Sequence, residues 1–343
     1  MMVIDLKRRS LIMQHAERVG PGRRAFIALG VGAFTLAAIP LVRRRRRLVR
    51  RAVPIMGTVA ELVVVHRDVW YAGGAIDAAI ARLRTAERTL TRFSATSEIG
   101  RANARAAGEA VSVSAETAAV LRAAVAWADR TDGVFDPCLG RSIALWDVGA
   151  RTAPPSERAV ARFAGRGLYR ALDIDTWRGR PAVRFTDKDV SVDLGGIGKG
   201  YGVDRAVDVL RDWGIRDAVV NLGGDLYAMG ESVDGDAWRI GVRSPDETVG
   251  VASLVGPGQA IATIDVRDAA IATSGDYLQY FEYKGRRYHH LLDPSTGAPR
   301  ARGLRTLTVQ ATDCMTADAA ATAAFCASNG AVVNGRAEVI HSA

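Results

Sequence analysis

Apolar residues in this chain follow two spacings, one of three to four residues and one of two. The longer spacing predicts helices, and we place four of them at 77–93, 114–129, 203–210 and 315–329. The shorter spacing predicts strands, after Met56 and at 218–222, 235–255 with a turn at Ser244-Pro245, 260–264, 269–273, 281–292 and 304–310. Because strands and helices mix without strict alternation, we expect one α+β domain with mixed sheets and flanking helices.

A glycine-rich loop near residue 200 is the most informative part of this pattern. Val190, Val192 and Leu194 alternate with polar residues, which predicts a strand, and five glycines follow within 195–202. The helix after them is expected to end at Gly214. The unit therefore predicts a strand, a loop, a helix and a second strand.

Such a loop before a helix can bind an anion, because free amide groups and the helix dipole point the same way. Lys199 would add a positive charge there. The loop is not a P-loop, since Gly200 follows the lysine, and it lacks the G-x-G-x-x-G order of dinucleotide-binding folds. A phosphate site and a tight turn with a solvated lysine both stay open.

Charge is concentrated at the N-terminus. The net charge is +9, but residues 1–51 hold 13 Lys and Arg against two acidic residues, a net of +11. The remaining residues hold 33 basic and 35 acidic side chains, a net of −2. A nucleic-acid-binding domain carries its own basic face, so we expect no nucleic-acid partner.

The N-terminal segment has the layout of an export signal or membrane anchor. Arg23-Arg24 precede an apolar run at 25–42, and RRAFIAL resembles a twin-arginine signal. No cleavage site is visible before Arg43–Arg47, and no nearby cysteine could carry a lipid. We divide the chain into a leader, 1–51, and a domain, 52–343. We expect export or inner-membrane attachment facing the periplasm, with a cytoplasmic anchor as the alternative.

Three clusters of polar residues could carry chemistry. His289 and His290 are adjacent, and a histidine can transfer protons near neutral pH or bind a phosphate oxygen. Asp318 and Thr322 lie one helical turn apart and offer the oxygen ligands that Mg²⁺ prefers. Asp193 ends the predicted strand beside the glycine loop. Each has a structural alternative: a surface histidine for the first cluster, a capping or solvated pair for the second, and a carboxylate that braces the loop for Asp193. Cys138, Cys314 and Cys326 have no metal or disulfide spacing, and we expect them to be buried apolar residues.

Taken together in this order, the motifs resemble the ApbE family of FAD:protein FMN transferases over residues 52–326. The matching pieces are Met56-Gly-Thr, Phe93-Ser, Ser97-Glu-Ile with Asn103, Gly133-Val-Phe-Asp136, 193–202, Asn221-Leu-Gly-Gly-Asp225, Thr273-Ser-Gly, 290–297, and Ala317-Asp318 with Thr322. The resemblance implies a Mg²⁺-dependent enzyme that takes FMN from FAD, releases AMP and joins the phosphate to a Thr or Ser hydroxyl of an acceptor protein. With an exported enzyme, that acceptor would be a membrane or periplasmic redox protein.

By motif position the resemblance also implies site residues. FAD contacts would fall on Met56, Phe93, Val134, Phe135, Asp136, Asp193, Lys199, Leu291 and Leu292. The metal would lie between Asp318 and Thr322, with main-chain oxygens near Gly196 and Met315. Phe93 stands where many members have tyrosine, so ring stacking is possible there but a hydroxyl contact is not.

The base that deprotonates the acceptor hydroxyl is left open by the sequence, with His290 as the first choice and Asp276 as the second. One alternative function is an FAD pyrophosphatase that uses water as the acceptor. Another is a flavin-binding module without turnover. Self-modification is disfavoured, because residues 293–298 look like an acceptor motif in which Pro299 replaces the needed hydroxyl.

Overall fold

The computed structural model describes residues 25–28, 34–38, 46–243, 260–277, 279–300, 304–327 and 337–342. Its helices are α1 (Val69–Leu90), α2 (Glu98–Arg105), α3 (Ala115–Arg130), α4 (Gly140–Trp146), α5 (Glu157–Ala161), α6 (Gly198–Asp212) and α7 (Cys314–Cys326). Its strands are β1 (Ala25–Ala28), β2 (Phe34–Ala38), β3 (Arg47–Ile55), β4 (Thr58–His66), β5 (Val111–Ser112), β6 (Leu172–Trp177), β7 (Arg180–Phe185), β8 (Ala218–Leu222), β9 (Asp225–Met229), β10 (Trp238–Arg243), β11 (Ala260–Val266), β12 (Ala269–Gly275), β13 (Tyr280–Tyr283), β14 (Arg286–His289), β15 (Leu292–Asp293), β16 (Ala298–Pro299), β17 (Thr306–Ala311) and β18 (Ala337–Ser342).

A seven-stranded antiparallel sheet in the order β18-β17-β12-β9-β8-β4-β3 forms the centre of the fold. Its two faces are both covered, because alternate residues of β4 enter different cores. Leu62 and Val64 pack with α1, α6 and α7, whereas Val63 and Val65 pack against Trp238 of a second sheet, β1-β2-β10-β11. The strands therefore lie between a layer of helices and a second sheet, which confirms the α+β prediction.

A second core lies beside this layered body. It is formed by α2 to α5 and the small sheet β5-β7-β6. Helix α7 belongs to both cores, since Ala317 and Ala321 pack in the first while Ala319 and Ala323 pack in the second. Alanine is suited to this position because its small side chain lets neighbouring elements approach on every side of the helix. The alanine-rich segment is thus a buried junction.

Most predicted elements are confirmed, with different ends. Helix α1 begins at Val69, eight residues before the predicted start, because Asp68 caps it by accepting hydrogen bonds from the amides of Trp70 and Tyr71. Helix α2 was not predicted and carries Asn103. The predicted hairpin turn at Lys284-Gly285 is present, with positive φ at both residues.

The strand predicted at 190–194 is wrong. Of these residues only Ser191 forms a β-bridge, with Leu139. The reason is a side chain that occupies ladder positions: Asn103 Nδ2 donates to the carbonyl of Val192, and Asn103 Oδ1 accepts from its amide, at 2.9 and 2.7 Å. On its other edge the segment is bonded to residues 137–140, because the Ser191 and Asp193 amides donate to the carbonyls of Cys138 and Pro137. It therefore lies between that loop and α2, outside the named sheets.

Several predictions fall on residues that the structure does not describe. Of the apolar run 25–42, only β1 and β2 are described, and the turn at Ser244-Pro245 and a helix stop at Gly330 lie outside the described residues. Among the helices that are described, none combines the length and the apolar character needed to cross a bilayer. The leader's role stays a prediction.

Candidate active site

A cavity of about 560 Å³ opens where α6, α7, the end of α1 and the segment after β14 meet. Its size is within the usual range for small-molecule sites. The residues that line it include Met56, Glu87, Arg92, Phe93, Val134, Phe135, Asp136, Asp193, Gly196, Lys199, Ser274, His290, Leu291, Leu292, Asp318, Thr322 and Cys326. Thirteen of the fifteen residues predicted for the site are in this set; the two others are Asp276 and Met315.

Close contact between α6 and α7 depends on glycine at two positions. A Cβ on Gly200 would lie 2.2 Å from the carbonyl oxygen of Cys314, and one on Gly196 would lie 3.0 Å from the Thr322 hydroxyl. Neither space admits a side chain without displacement of the backbone or of Thr322. The glycines therefore bring the start of α6 directly against the start of α7.

A group of three charges, of which the two carboxylates are buried and the lysine is half-buried, joins these two helices to β9. Lys199 Nζ lies 3.1 Å from Asp318 Oδ1 and 2.5 Å from Asp225 Oδ2. Asp318 is 2% exposed, and its second oxygen accepts a hydrogen bond from the Gly200 amide at 3.0 Å. The alternative of a solvated pair at Asp318 and Thr322 is therefore excluded for the aspartate.

The charges of this group stay in place because they compensate one another. Burial acts to lower the pKa of Lys199, but the two carboxylates outweigh it and hold that pKa well above its ordinary value. Burial, followed by the charge of Asp318, raises the pKa of Asp225 to about 7. Asp225 was part of a recognised motif, yet sequence reasoning did not place it in the site. Its position directly after the glycine pair was the available signal.

The two adjacent histidines have different surroundings. His289 Nε2 lies 3.0 Å from the carbonyl of Arg300, and its Nδ1 accepts from the Leu291 amide, so this ring is fully used inside the fold. His290 lines the cavity, and its Nδ1 lies 3.4 Å from the carbonyl of Gln279. A carbonyl can only accept, so Nδ1 carries the proton and Nε2 is left as an acceptor. Burial lowers the pKa of His290 to about 4, which keeps the ring neutral.

An aromatic ring and an ion pair also line the cavity. Phe93 is 83% exposed, and the Arg92 guanidinium lies 4.2 Å from the centre of its ring. Arg92 also pairs with Asp193, whose other oxygen accepts from the Gly195 amide. Nearby, Glu87 accepts a hydrogen bond from the Met56 amide at 2.6 Å. Sequence reasoning missed Arg92 and Glu87, since a helix-end charge has no local signature.

The segment from Val134 to Asp136 forms a further wall. Phe135 is buried, and its ring edge lies 3.1 Å from the position of a Cβ on Gly196. Asp136 accepts from the Cys138 amide at 2.8 Å, and burial raises the pKa of Asp136 to about 6. The predicted burial of the three cysteines is confirmed, and each is a free thiol. Cys326 borders the cavity, but burial raises its pKa to about 12, so its thiol stays protonated.

Asp276 and Met315 are not brought into the cavity lining. The Asp276 carboxylate accepts from Arg305 Nε at 3.0 Å and lies 3.5 Å from Arg287, so two cations hold it beside the cavity. Met315 is the second residue of α7, and its amide donates to Asp204. Its Cα would lie 2.8 Å from a Cβ on Gly200, which places its main chain against the loop.

Comparison with known proteins agrees with this geometry. The ApbE family model matches residues 56–336. The chain is 32% identical to FAD:protein FMN transferase of Treponema pallidum over 289 residues, 82% of this chain and 80% of that protein. It is 31% identical to the Vibrio cholerae FAD:protein FMN transferase over 271 residues, 78% of each chain.

Solved structures give the same result. The crystal structure of the ApbE protein from Thermotoga maritima superimposes with a TM-score of 0.72 at 32% identity, covering 82% of this chain and 87% of that one. The flavin transferase ApbE from Vibrio cholerae superimposes with a TM-score of 0.70 at 26% identity, covering 87% and 97%. The sequence match, the shared fold and the joined motifs show that this chain belongs to the ApbE family.

Proposed function

We propose that this protein transfers FMN from FAD to a Thr or Ser hydroxyl of an acceptor protein, with Mg²⁺, and releases AMP. The observation that carries the proposal is the convergence of Lys199, at the start of α6, and Asp318 on one cavity that His290 also lines. A diphosphate needs cationic and N–H groups, and an acceptor hydroxyl needs a base. The relatives named as FAD:protein FMN transferases support this assignment.

The donor set fits Mg²⁺. Asp318 and Thr322 supply a carboxylate and a hydroxyl, and Gly196 packs against Thr322. With main-chain oxygens near Gly196 and Met315, these would be hard ligands of the kind that Mg²⁺ takes together with substrate phosphates. Asp225 and Asp318 also outnumber Lys199, which leaves a buried negative charge for a cation to offset. No cluster of three or more His, Cys, Asp or Glu side chains forms a metal site in the described ranges, so substrate oxygens would complete the coordination. When bound, Mg²⁺ would neutralise charge on the diphosphate.

The protein's own groups would carry out the rest of the transfer. The acceptor hydroxyl oxygen forms a bond to the phosphorus of the FMN phosphate, and the bond from that phosphorus to the AMP oxygen breaks. The hydroxyl proton passes to His290 Nε2, the unshared acceptor of a neutral ring. Lys199 would hold the phosphate oxygens together with the positive end of the α6 dipole, since it lies at the helix N-terminus. Asp276 is paired with two arginines and is not among the residues that line the cavity, so it is the weaker choice of base.

The walls of the cavity suit the planar rings of FAD. Met56, Phe93, Leu291 and Leu292 supply apolar or aromatic surface, and Asp136 and Asp193 supply acceptors at its edge. An exposed ring such as Phe93 can stack on another aromatic system. We further propose that the acceptor is a membrane or periplasmic redox protein, because the leader has the layout of an export signal or anchor.

One experiment separates the proposed activity from its alternatives. The full chain is incubated with FAD, Mg²⁺ and a protein that bears an accessible threonine acceptor segment, and flavin fluorescence of the denatured acceptor band is recorded. Labelling that requires Mg²⁺ and an intact threonine supports transfer. Free FMN and AMP without labelling would indicate a pyrophosphatase, and unchanged FAD would indicate a binding module.

A further inference from the structure

The first turn of α1 carries an exposed aromatic side chain that no other described residue covers. Trp70 is 92% exposed, and its neighbours Val69 and Tyr71 are 38% and 43% exposed. Tyr71 is anchored, since its hydroxyl donates to the carbonyl of Trp213 at 2.6 Å. An exposed apolar patch on a protein surface often marks a site of contact with a partner or a membrane. We call Arg47, Arg51, Arg67, Val69, Trp70 and Tyr71 the α1 patch.

Basic residues surround this tryptophan. Arg67 is exposed just before it, and Arg47, also exposed, is paired in register with His66 at the end of β4. Arg51 lies beside the same face of α1, because its guanidinium is 4.0 Å from the Cβ position of Gly73, three residues after Trp70. Two acidic residues are also present: Asp68 caps α1, and Asp77 pairs with Arg51.

The α1 patch lies where the leader joins the domain. Strand β3 is the edge strand of the central sheet and begins at Arg47, and the preceding residues Arg43, Arg44 and Arg45 extend the basic sequence. The net charge of the patch is therefore positive on its described residues and becomes more so toward the leader. Tryptophan and arginine side chains are enriched where proteins contact the membrane interface. Here they lie close in sequence to the apolar run 25–42.

We propose that the α1 patch rests on an anionic bilayer surface. Trp70 inserts its indole at the level of the headgroups, and Arg47 and Arg67 contact lipid phosphates. This docking is a property of the folded domain and adds to any attachment that the leader provides.

The position of the cavity gives the proposal a consequence for the acceptor. Glu87, at the cavity, is at the other end of α1 from Trp70, about 26 Å along the helix axis. With the α1 patch on the bilayer, the cavity faces away from the lipid. An acceptor threonine would then be presented by a domain or loop that stands clear of the membrane surface.

Depth-dependent quenching of tryptophan tests the proposal. The full chain is mixed with phosphatidylcholine vesicles containing phosphatidylglycerol, with or without bromine on the acyl chains, and tryptophan emission is compared. We expect brominated vesicles to quench the wild type, Trp70→Phe to lose most of that quenching, and Trp177→Phe to retain it. Trp177 is the control, because it is also exposed, at 43%, and lies at the end of β6 with the Arg178 guanidinium over its ring.

Binding measurements on the same vesicles supply a second readout. Sedimentation should show at least about tenfold weaker binding for Trp70→Ser, given the area that an indole buries. Arg67→Ser should weaken binding about fivefold on anionic vesicles only. All variants keep the leader, so these differences report the patch.

Three results would overturn the proposal. Vesicle-bound protein with unquenched Trp70 would show attachment through the leader alone. Equal binding to vesicles without phosphatidylglycerol would remove the role of the arginines. A Trp70→Ser variant that changes from dimer to monomer in light scattering without lipid would identify a second copy of this chain as the occupant.

Discussion

The Gly200 amide donates a hydrogen bond of 3.0 Å to Asp318 Oδ2, although 118 residues separate the two along the chain. This contact joins the first turn of α6 to α7 at the wall of the cavity. The second carboxylate oxygen contacts Lys199, so Asp318 connects the glycine loop to the proposed metal ligand set. Each part of the proposed mechanism depends on this junction.

Asp318→Asn should remove Mg²⁺-dependent transfer. The amide keeps the shape of the side chain but loses the negative charge that a divalent cation requires, so we expect kcat to fall by about 10² or more. The measurement is FMN labelling across a Mg²⁺ titration. Thermal melting with and without Mg²⁺ gives a second readout, in which only the wild type should be stabilised by the metal. Equal activity in chelator and in Mg²⁺ would contradict the assignment.

Lys199→Met should destabilise the fold as well as weaken FAD binding. Its removal leaves the carboxylates of Asp225 and Asp318 buried without their cation, and breaking such a group costs roughly 3–5 kcal/mol. Urea unfolding measures this loss. Lys188→Met is the control, because Lys188 is exposed. Wild-type stability and FAD affinity in the Lys199 variant would show that the lysine is merely solvated.

Gly200→Ala should separate α6 from α7. Its methyl group would lie 2.2 Å from the Cys314 carbonyl, a contact that only backbone movement relieves. We expect a loss of about 1–3 kcal/mol in the free energy of unfolding together with a loss of transfer. Gly149→Ala, where no atom lies within 4 Å, should leave both unchanged. If the two variants behave alike, close packing at Gly200 is not required.

The acid limb of the pH–rate profile should lie unusually low. Burial lowers the pKa of His290 to about 4, and a general base must be neutral, so kcat/KM should hold down to about pH 5 and fall below it. A free histidine would give the fall near pH 6.5. The same shift makes the neutral ring a source of stability above pH 6.5 that is lost as the pH falls toward 4. Circular dichroism at each pH must therefore accompany the rates, and an acid limb near 6.5 in folded protein would exclude this assignment.

Asp136→Asn should change how stability depends on pH. Burial raises the pKa of Asp136 to about 6, against about 3.9 in an unfolded chain, so the folded state holds a proton that the unfolded state releases. That contribution is fully present below about pH 4 and is lost as the pH rises through 6. Asparagine can still accept from the Cys138 amide, and the variant should gain roughly 1–3 kcal/mol relative to wild type between pH 4 and pH 8. Urea unfolding at the two pH values tests this; an identical difference at both would contradict it.

Local periodicity was sufficient for the elements whose apolar face is a simple repeat. The strand at Ala218–Leu222 and the helix capped by Ser114 form as predicted, because adjacent residues alone decide their spacing and their cap. The motifs, taken in order, were equally sufficient to identify the family, because each is a short run of adjacent residues that can be read directly from the sequence. The strand predicted at 190–194 failed because one edge of the segment is bonded by Asn103, a side chain on a helix without a strong local pattern, and the other edge forms a single β-bridge, with Leu139.

The sequence by itself determined which residues are chemically able to handle a diphosphate: a lysine among glycines, an aspartate on an alanine-rich helix and a histidine before Leu291-Leu292. Only the tertiary structure decided that Asp225 shares Lys199 with Asp318, that His290 and not His289 faces the cavity, and that Asp276 is held by arginines. The physical reason is that burial and charge pairing depend on groups far apart in the chain. Neither can be inferred from the spacing of residues that are adjacent in the sequence.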